Sequence, residues 1–563
     1  MSRVLFYVNL ILRYVLTFIL ISIEQIFFVL CLAILYLILN AEIDPPIVEH
    51  FNIGKRIKIS DNHYVLKNNY LKKNEFGIWE MYIEGDPYER GLIYGELSKE
   101  LIQRQEDIFV NQINNFVPSN FMQQFLRLFI GLFISELPKN IPLENQQEIY
   151  GISQYFSSRY DYIASKYTRI LNYHAAHDIG HALNDYSIVG CTSFALKDEL
   201  TADSNLMIGR NFDFYVGDEF AHDKLILFVN PSKGFSFASY SWAGFTGVLS
   251  GLNEKGLSVT INASKSDLPS GAKMPISILA REILQYASTI EEAVAIAKKR
   301  HTFVSETLMI GSSLDKRAVL IEKSPTKLGV YDSKQSKLVC SNHYQSATFI
   351  NDKVNISNIK ESDSKFRFNR VGELLSARNV FSLNNVLSIL RDQNGFKNDT
   401  LGMGNPRAIN QLIAHHSVII LPKSSMFYIS TSNYQLGEFI GYDLNKTFES
   451  KKGTITHRLS SSEFLFSKEY KKFKAFKATK KRISQFLLFG TDLKLSSHEI
   501  KEFVNNNKES FVTFEMLGKY YLKKGNSSAA NKMFANALTK NLASLKIKME
   551  LENLKKECQF KNK

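Results

Sequence analysis

Apolar and polar positions fall into four successive patterns along the chain. From Val4 to Asn40 nearly every residue is apolar, interrupted by Arg13 and Glu24. That run is too long for a buried core helix, and the roughly 20 residues ending at Leu39 suffice to cross about 30 Å of hydrocarbon. Residues 1–45 are therefore expected to be a membrane anchor. Residues 46–75 mix polar positions with short apolar runs and read as a tether. From Ile78 a strand (WEMYIEG) turns at Gly85-Asp86-Pro87 into an amphipathic helix, and helical periodicity continues to about residue 185. Between Gly190 and about Ser432 the period shortens to two. LMIGRNFDF, KLILFVNP, FSFASYSW, GVLSGLN, GLSVTIN, TLMIGSS, AVLIEKS, KLGVYD, KLVCSN, HSVIILP and MFYISTS all predict strands, with helical stretches at 275–300 and 364–392 between them. Many strands with helical insertions predict a layered α+β domain over 191–450, following a mostly helical segment over 46–190. Residues 451–563 are helical and lysine-rich.

Charge sharpens this division. The net charge of +14 would suit a nucleic-acid partner, but residues 451–563 hold 25 Lys and Arg against 10 Asp and Glu, leaving 44 and 45 in the first 450. A basic appendage on a neutral body does not make a nucleic-acid groove, and no nucleic-acid partner is expected. Its most basic run, residues 468–482, interleaves Tyr470, Phe473 and Phe476 with eight basic side chains and reads as a solvated helix face, with an anionic membrane surface or a protein partner as competing readings. Further on, Phe514, Leu517, Gly518, Tyr521, Gly525, Ala530, Phe534 and Ala537 have the spacing of a tetratricopeptide (TPR) repeat, a hairpin suited to a protein partner. At the other end, Arg3 and Arg13 precede the apolar run and Glu42, Asp44 and Glu49 follow it. No small-x-small cleavage site follows, so a retained single-pass anchor with the body outside the cytoplasm is expected.

Cys31, Cys191, Cys340 and Cys558 lie too far apart for a disulfide framework or a cysteine-built metal site. Only Cys191 sits in an informative context, SIVGCTSFALKDELTADSNLMIGRNFDF, which predicts a hairpin whose first strand begins at the cysteine. If the Gly190–Cys191 bond is cut, the thiol shares its residue with an α-amine of pKa about 7.7–8.0, able to act as base near neutral pH. Arg210 and Asp213 are suited to lower the thiol pKa and to accept from the amine. Their three-residue spacing requires a bend, because positions i and i+3 face opposite sides of an ideal strand. Asn262 and Asn342 each end a predicted strand, where an amide and a backbone N–H can serve an oxyanion.

GDPYERGLIYGEL, GCTSFA, GRNFDF, GLNEKGLSVTIN, CSNHY and SVIILPKSSMFYIST run in order across residues 78–435. In these motifs the chain resembles the cysteine N-terminal-nucleophile (Ntn) hydrolases of the penicillin (isopenicillin N) acyltransferase type, and more remotely choloylglycine hydrolase and acid ceramidase. The resemblance implies an αββα sandwich, self-cleavage between Gly190 and Cys191, no cofactor, and amide chemistry on a small N-acyl substrate. It further implies Cys191 as nucleophile, Arg210 and Asp213 beside it, and an oxyanion hole from the Asn262 backbone N–H and the Asn342 side chain. A later arginine is also implied; Arg407 fits by distance and Arg370 competes.

Other residues complete the expectations. Trp242, Phe245 and His343 are candidates for a pocket wall. His174, His177 and His181 share one helix face but lack the HExxH pattern, so no metal is expected. The function expected is that of a self-processing amide hydrolase or acyltransferase. The rival is a catalytically silent member of the same fold that docks a partner through its basic tail.

Overall fold

The computed structural model describes residues 42–116, 136–183, 190–267 and 271–561, with isolated positions at 25–36, 119 and 123. Its strands are β1 (Ile57–Ser60), β2 (His63–Leu66), β3 (Asn69–Lys73), β4 (Trp79–Gly85), β5 (Thr192–Leu196), β6 (Met207–Phe212), β7 (Lys224–Pro231), β8 (Phe237–Trp242), β9 (Ser250–Asn253), β10 (Leu257–Ala263), β11 (Glu306–Ser312), β12 (Arg317–Lys323), β13 (Leu328–Tyr331), β14 (Lys337–Cys340), β15 (His416–Leu421), β16 (Met426–Ser430), β17 (Phe439–Asp443) and β18 (Ile455–Leu459). Among the described residues these form an eleven-stranded sheet, β1-β2-β3-β4-β7-β8-β9-β10-β11-β12-β13, and a seven-stranded sheet, β14-β5-β6-β15-β16-β17-β18.

Period-two patterning stacks the layers, since alternate side chains leave opposite faces of a strand. In the larger sheet Leu225, Leu227 and Val229 of β7 turn one way, toward helices α1 (Pro87–Phe116), α2 (Leu143–Ser153), α3 (Lys166–Leu183), α4 (Ile276–Tyr286) and α5 (Ile290–Lys299). Ile226 and Phe228 turn the other way and meet Ile208 of β6, Val418 and Ile420 of β15 and Phe427 of β16 from the smaller sheet. The outer face of that sheet, through Phe194, Met207, Ile419 and Tyr428, packs on α7 (Ser364–Ser376) and α8 (Leu383–Leu390), which follow α6 (Lys353–Glu361). The order is thus helix, sheet, sheet, helix, a mixed α/β sandwich with the expected layers.

Each predicted helical stretch is two helices, because a capping box restarts the chain. Thr289 accepts from the Glu292 backbone while Glu292 reaches back, opening α5; Ser382 and Asn385 do the same for α8. The expected tether differs more. Residues 57–73 form the meander β1–β3, which continues the larger sheet from β4, so the segment is structural. The smaller sheet likewise runs past residue 450, where α9 (Leu444–Ser450) leads to β18.

The basic extension is α10 (Lys468–Phe489), α11 (Ser497–Asn506), α12 (Phe511–Lys523), α13 (Ser527–Leu538) and α14 (Leu545–Lys561). Tyr470, Phe473 and Phe476 turn inward and meet Leu412, Tyr434 and Leu436 of the body, so the aromatic positions of the basic run are its packing face. α12 and α13 form a close helical pair in which a Cβ on Gly518 would lie 2.5 Å from the Phe534 ring. Among the described residues no helix is long and apolar enough to cross a membrane. The anchor expected over 1–45 lies for the most part outside the described residues.

Candidate active site

Cys191 immediately precedes β5, and the hairpin pairs Thr192 with Asn211 and Ser193 with Arg210. On β6 the inward alternation that buries Ile208 also turns Arg210 toward the larger sheet. There its Nη1 donates to Ser250 Oγ at 2.6 Å and its Nη2 to the Ile261 carbonyl, while Nη2 lies 3.8 Å from Cys191 Sγ. β6 ends at Phe212, and the Phe214 N–H closes on the Phe212 carbonyl at 3.2 Å. This tight turn at Asp213 is the bend that the Arg210/Asp213 spacing requires.

All three groups are fully buried or nearly so, and burial sets their protonation. Desolvation pushes the Cys191 thiol up to about 11; Arg210 opposes the rise and Asp213 adds to it. Desolvation also lifts the Asp213 carboxyl to about 7 against the pull of Arg367 and Arg210. The site therefore holds a protonated thiol next to a carboxyl that titrates near neutrality.

Asn262, on β10, donates from Nδ2 to the Ser341 carbonyl at 3.2 Å and accepts from the Ser193 hydroxyl. Asn342, just beyond β14, donates from Nδ2 to the Ala263 carbonyl at 2.9 Å. An amide nitrogen carries two hydrogens, so this bond leaves Asn342 with one more to give.

The second arginine beside Cys191 is Arg367 of α7. Its Nη1 donates to the Cys191 carbonyl at 2.7 Å and to Thr192 Oγ1 and Ser341 Oγ, each at 3.0 Å. Its Nη2 donates to Asn342 Oδ1 and Asp363 Oδ1, each at 2.7 Å, and its Nε to the Pro406 carbonyl at 3.1 Å. Arg407, expected in this position, lies elsewhere: its guanidinium sits 3.5 Å over the Phe366 ring and its Nε meets the Ala543 carbonyl at 3.4 Å. Arg370 pairs with Asp392 at 2.9 Å. Only the position one turn N-terminal to Arg370 faces the cysteine, and FRFNR carries no local mark of that.

A chain of buried groups extends behind Arg210. Ser250 accepts from Arg210, so its own hydroxyl hydrogen is available to His416 Nε2 at 3.0 Å, and His416 Nδ1 meets His415 Nδ1 at 2.9 Å. Burial holds both imidazoles well below their usual range, hence neutral. No sequence motif joins these histidines to Arg210.

Trp242 and Phe245 line a narrow cleft with about 30 Å³ of free space. Its other walls are Ile102, Phe109, Phe156 and Tyr173 from the preceding helices, and Phe214 and Phe220 from the turn after Asp213. Glu106, paired with Arg169 at 2.9 Å, also lines it. His343 does not belong to this wall. It bonds Ser364 Oγ at 2.7 Å and packs edge-on against Phe368, because its ring points outward beneath α7.

His174 Nε2 accepts from the Thr246 N–H at 3.0 Å, so Nδ1 carries the hydrogen given to the Ile170 carbonyl at 2.8 Å. Its lone pair is engaged. The side chains of His177 and His181 lie outside the described residues, and among those described no cluster of metal-ligating side chains occurs.

Residues 200–402 match the family described as acyl-coenzyme A:6-aminopenicillanic acid acyl-transferase. This span holds Arg210, Asp213, Asn262, Asn342 and Arg367. An uncharacterized protein of Archaeoglobus fulgidus is 25% identical over 273 residues, 45% of each chain. Protein dcd1B of Dictyostelium discoideum is 25% identical over 274 residues, 46% of this chain and 53% of that one. The chain spans about half the length of these relatives. Among solved structures, the Caenorhabditis elegans N-acylethanolamine-hydrolyzing acid amidase ortholog has 18% identity and a TM-score of 0.30, covering 41% of this chain and 93% of its own. A mutant of the Clostridium perfringens conjugated bile acid hydrolase has 16% identity and a TM-score of 0.33, covering 48% of this chain and 98% of its own.

Proposed function

We propose that this protein is a self-processing amide hydrolase or acyltransferase that uses Cys191 as an N-terminal nucleophile on an N-acyl substrate. The observation that carries the reading is a buried thiol at the start of a strand, with Arg210 at 3.8 Å and a carboxyl titrating near neutrality in the adjoining turn. The match of residues 200–402 to an acyl-transferring family supports the same chemistry.

Cleavage before Cys191 would create an α-amine on the nucleophile's own residue. The amine takes the thiol proton as sulfur attacks the substrate carbonyl and returns it to the leaving amine. Arg210 favours the thiolate, and Asp213 is the acceptor for the amine. The Asn262 backbone N–H and the second Asn342 amide hydrogen would serve the oxyanion, with Arg367 fixing Asn342 through its Oδ1. The acyl-thioester then passes to water or to another amine. The aromatic cleft beside Phe214, walled partly by the segment preceding the cut, gives an apolar acyl group a matching lining once it widens to admit one.

Intact mass of the purified full chain tests the reading. Wild type should yield fragments of 190 and 373 residues, while Cys191→Ala stays whole. A wild-type chain that remains whole and turns over no N-acyl amide would overturn it.

We also propose that the apolar run before Asn40 anchors the protein in a membrane with the body outside the cytoplasm, and that the α12–α13 pair is a TPR-like unit open to a protein partner. Extraction with alkaline carbonate tests the anchor, since an integral segment keeps the full chain in the membrane pellet.

A further inference from the structure

Gln411 belongs to none of the motifs above and lies beyond the span matched to the acyltransferase family. Its Nε2 donates to the carbonyl oxygen of Gly190 at 2.6 Å, and the same nitrogen lies 3.2 Å from Asp213 Oδ2. Both contacts are buried. Gly190 is held from its other side by its own N–H, which donates to the Asp213 carbonyl at 3.0 Å. The carbonyl that self-cleavage must attack is thus already in a short hydrogen bond to a neutral donor shielded from water.

The chain is shaped for this approach at both ends. A Cβ on residue 190 would lie 2.5 Å from Gln411 Nε2, so glycine is the residue that lets the amide reach the carbonyl. Beside Gln411, the Asn410 N–H donates to the Asp392 carbonyl at 2.8 Å and the Leu412 N–H to Asn410 Oδ1 at 3.0 Å. Leu412 itself is buried against α10. The amide is therefore fixed before reaction, which is the condition under which an oxyanion donor is effective.

We infer that Gln411 is a catalytic residue of self-cleavage, its side-chain amide stabilising the oxyanion that forms on Gly190 when Cys191 attacks. The inference rests on the self-processing reading above. In the first step the Sγ–C bond to Gly190 forms, the thiol proton passes to the Asp213 carboxylate, and negative charge gathers on the Gly190 oxygen against Nε2. Collapse breaks the Gly190–Cys191 C–N bond, and the departing nitrogen takes the proton from Asp213 to become the α-amine. Water then hydrolyses the thioester, leaving a Gly190 carboxylate and a free Cys191 thiol. Asn342 and Asn262 serve the carbonyl of the later substrate, so the two reactions at one cysteine use separate oxyanion donors.

The test is a pulse-chase of the full chain made by cell-free translation, with the first-order cleavage rate read on denaturing gels for wild type, Cys191→Ala and Gln411→Met. Methionine keeps the length of glutamine and removes the donor. Cleavage of Gln411→Met is expected to slow by about 10²–10³, the loss typical of one oxyanion donor. The thermal midpoint in the uncleavable Cys191→Ala background reports whether the variant folds. Should Gln411→Met fail to fold, Gln411→Asn, which keeps an amide but withdraws it by one methylene, takes its place with the same expectation. A folded variant cleaving within about threefold of wild type overturns the role of Gln411 while leaving self-processing intact. A wild-type chain that never cleaves overturns self-processing itself and the inference with it.

Discussion

Arg367 donates from Nη1 to the carbonyl oxygen of Cys191 at 2.7 Å, across 176 residues of sequence. The same guanidinium holds Asn342, Asp363, Thr192 and Ser341, so it ties the strand after Cys191, Asn342 and α7 into one buried unit. Removing it takes the ion pair at 2.7 Å from Asp363 and the donor from several buried acceptors. Arg367→Met should therefore destabilise the uncleavable Cys191→Ala chain by on the order of 3–5 kcal/mol in denaturant unfolding. Arg407→Ala, which loses a stacked ring and one long hydrogen bond, should cost no more than about 2 kcal/mol. Equal losses from the two substitutions would remove the distinction drawn between them.

If the chain cleaves itself as proposed, Asp213 should set a pH dependence for that step. Its carboxyl is lifted to about 7 by burial, so below that pH it keeps its proton and cannot receive the one from Cys191. The cleavage rate should rise about tenfold per pH unit toward 7 and level above it, and Asp213→Asn should lower and flatten the profile. Stability moves the opposite way. Between about pH 4 and 7 the folded chain retains a proton that the unfolded chain has released, so the contribution of Asp213 declines as pH rises through that window. In the Cys191→Ala background, Asp213→Asn should accordingly gain more in thermal midpoint at pH 8 than at pH 5. A flat cleavage profile from pH 5 to 9 would dismiss Asp213 as the proton acceptor.

The sandwich is legible in the sequence because strands buried on both faces read as short apolar, β-branched runs bounded by turn residues, as on β7. Cys191, Arg210 and Asp213 are legible because they share one hairpin, and local order is what a motif records. Arg367 and Gln411 are not, because each reaches Gly190 or Cys191 only through the tertiary fold, from segments whose own patterns are those of an ordinary helix and loop. Residues 57–73 read as a tether since β1 is an exposed edge strand and β2 beside it is only half-buried, which weakens the alternation. His415 and His416 open β15, and nothing in HHSVII announces that Ser250, 166 residues earlier than His416, links them to Arg210.

That link carries its own expectation. Arg210 is buried among Ser250 Oγ, the Ile261 carbonyl, His416 Nε2 at 3.4 Å and the face of Phe212 at 4.4 Å. Ser250→Ala removes the acceptor at 2.6 Å, and a hydrogen bond to a buried charge contributes roughly 1.5–3 kcal/mol. The guanidinium would then be less firmly directed at Cys191 Sγ. Alkylation of Cys191 by iodoacetamide should slow at pH 7 and recover at higher pH, where the thiolate forms without help. An alkylation profile superimposable on that of wild type would show that Arg210 needs no support from Ser250.

The basic extension grips the segment that leads to Gln411. Asn507, after α11, accepts from the Met403 N–H at 3.0 Å and donates to the Met403 carbonyl at 2.8 Å. Asn541 donates to the Thr400 carbonyl at 3.0 Å and accepts from Asn405 Nδ2 at 2.8 Å. A Cβ on Gly402 would lie 2.4 Å from the Ser510 nitrogen, so the two chains touch backbone to backbone. A clasp this close, a few residues before Gln411, should couple the extension to the Gly190 carbonyl. Asn507→Ala should therefore slow self-cleavage several-fold while leaving the pH at which the rate levels unchanged, since Asp213 keeps its surroundings. Asn526→Ala, which removes a helix cap at the far end of the extension, should cost stability of about 1 kcal/mol without slowing cleavage. Matching rates for wild type and Asn507→Ala would uncouple the extension from processing.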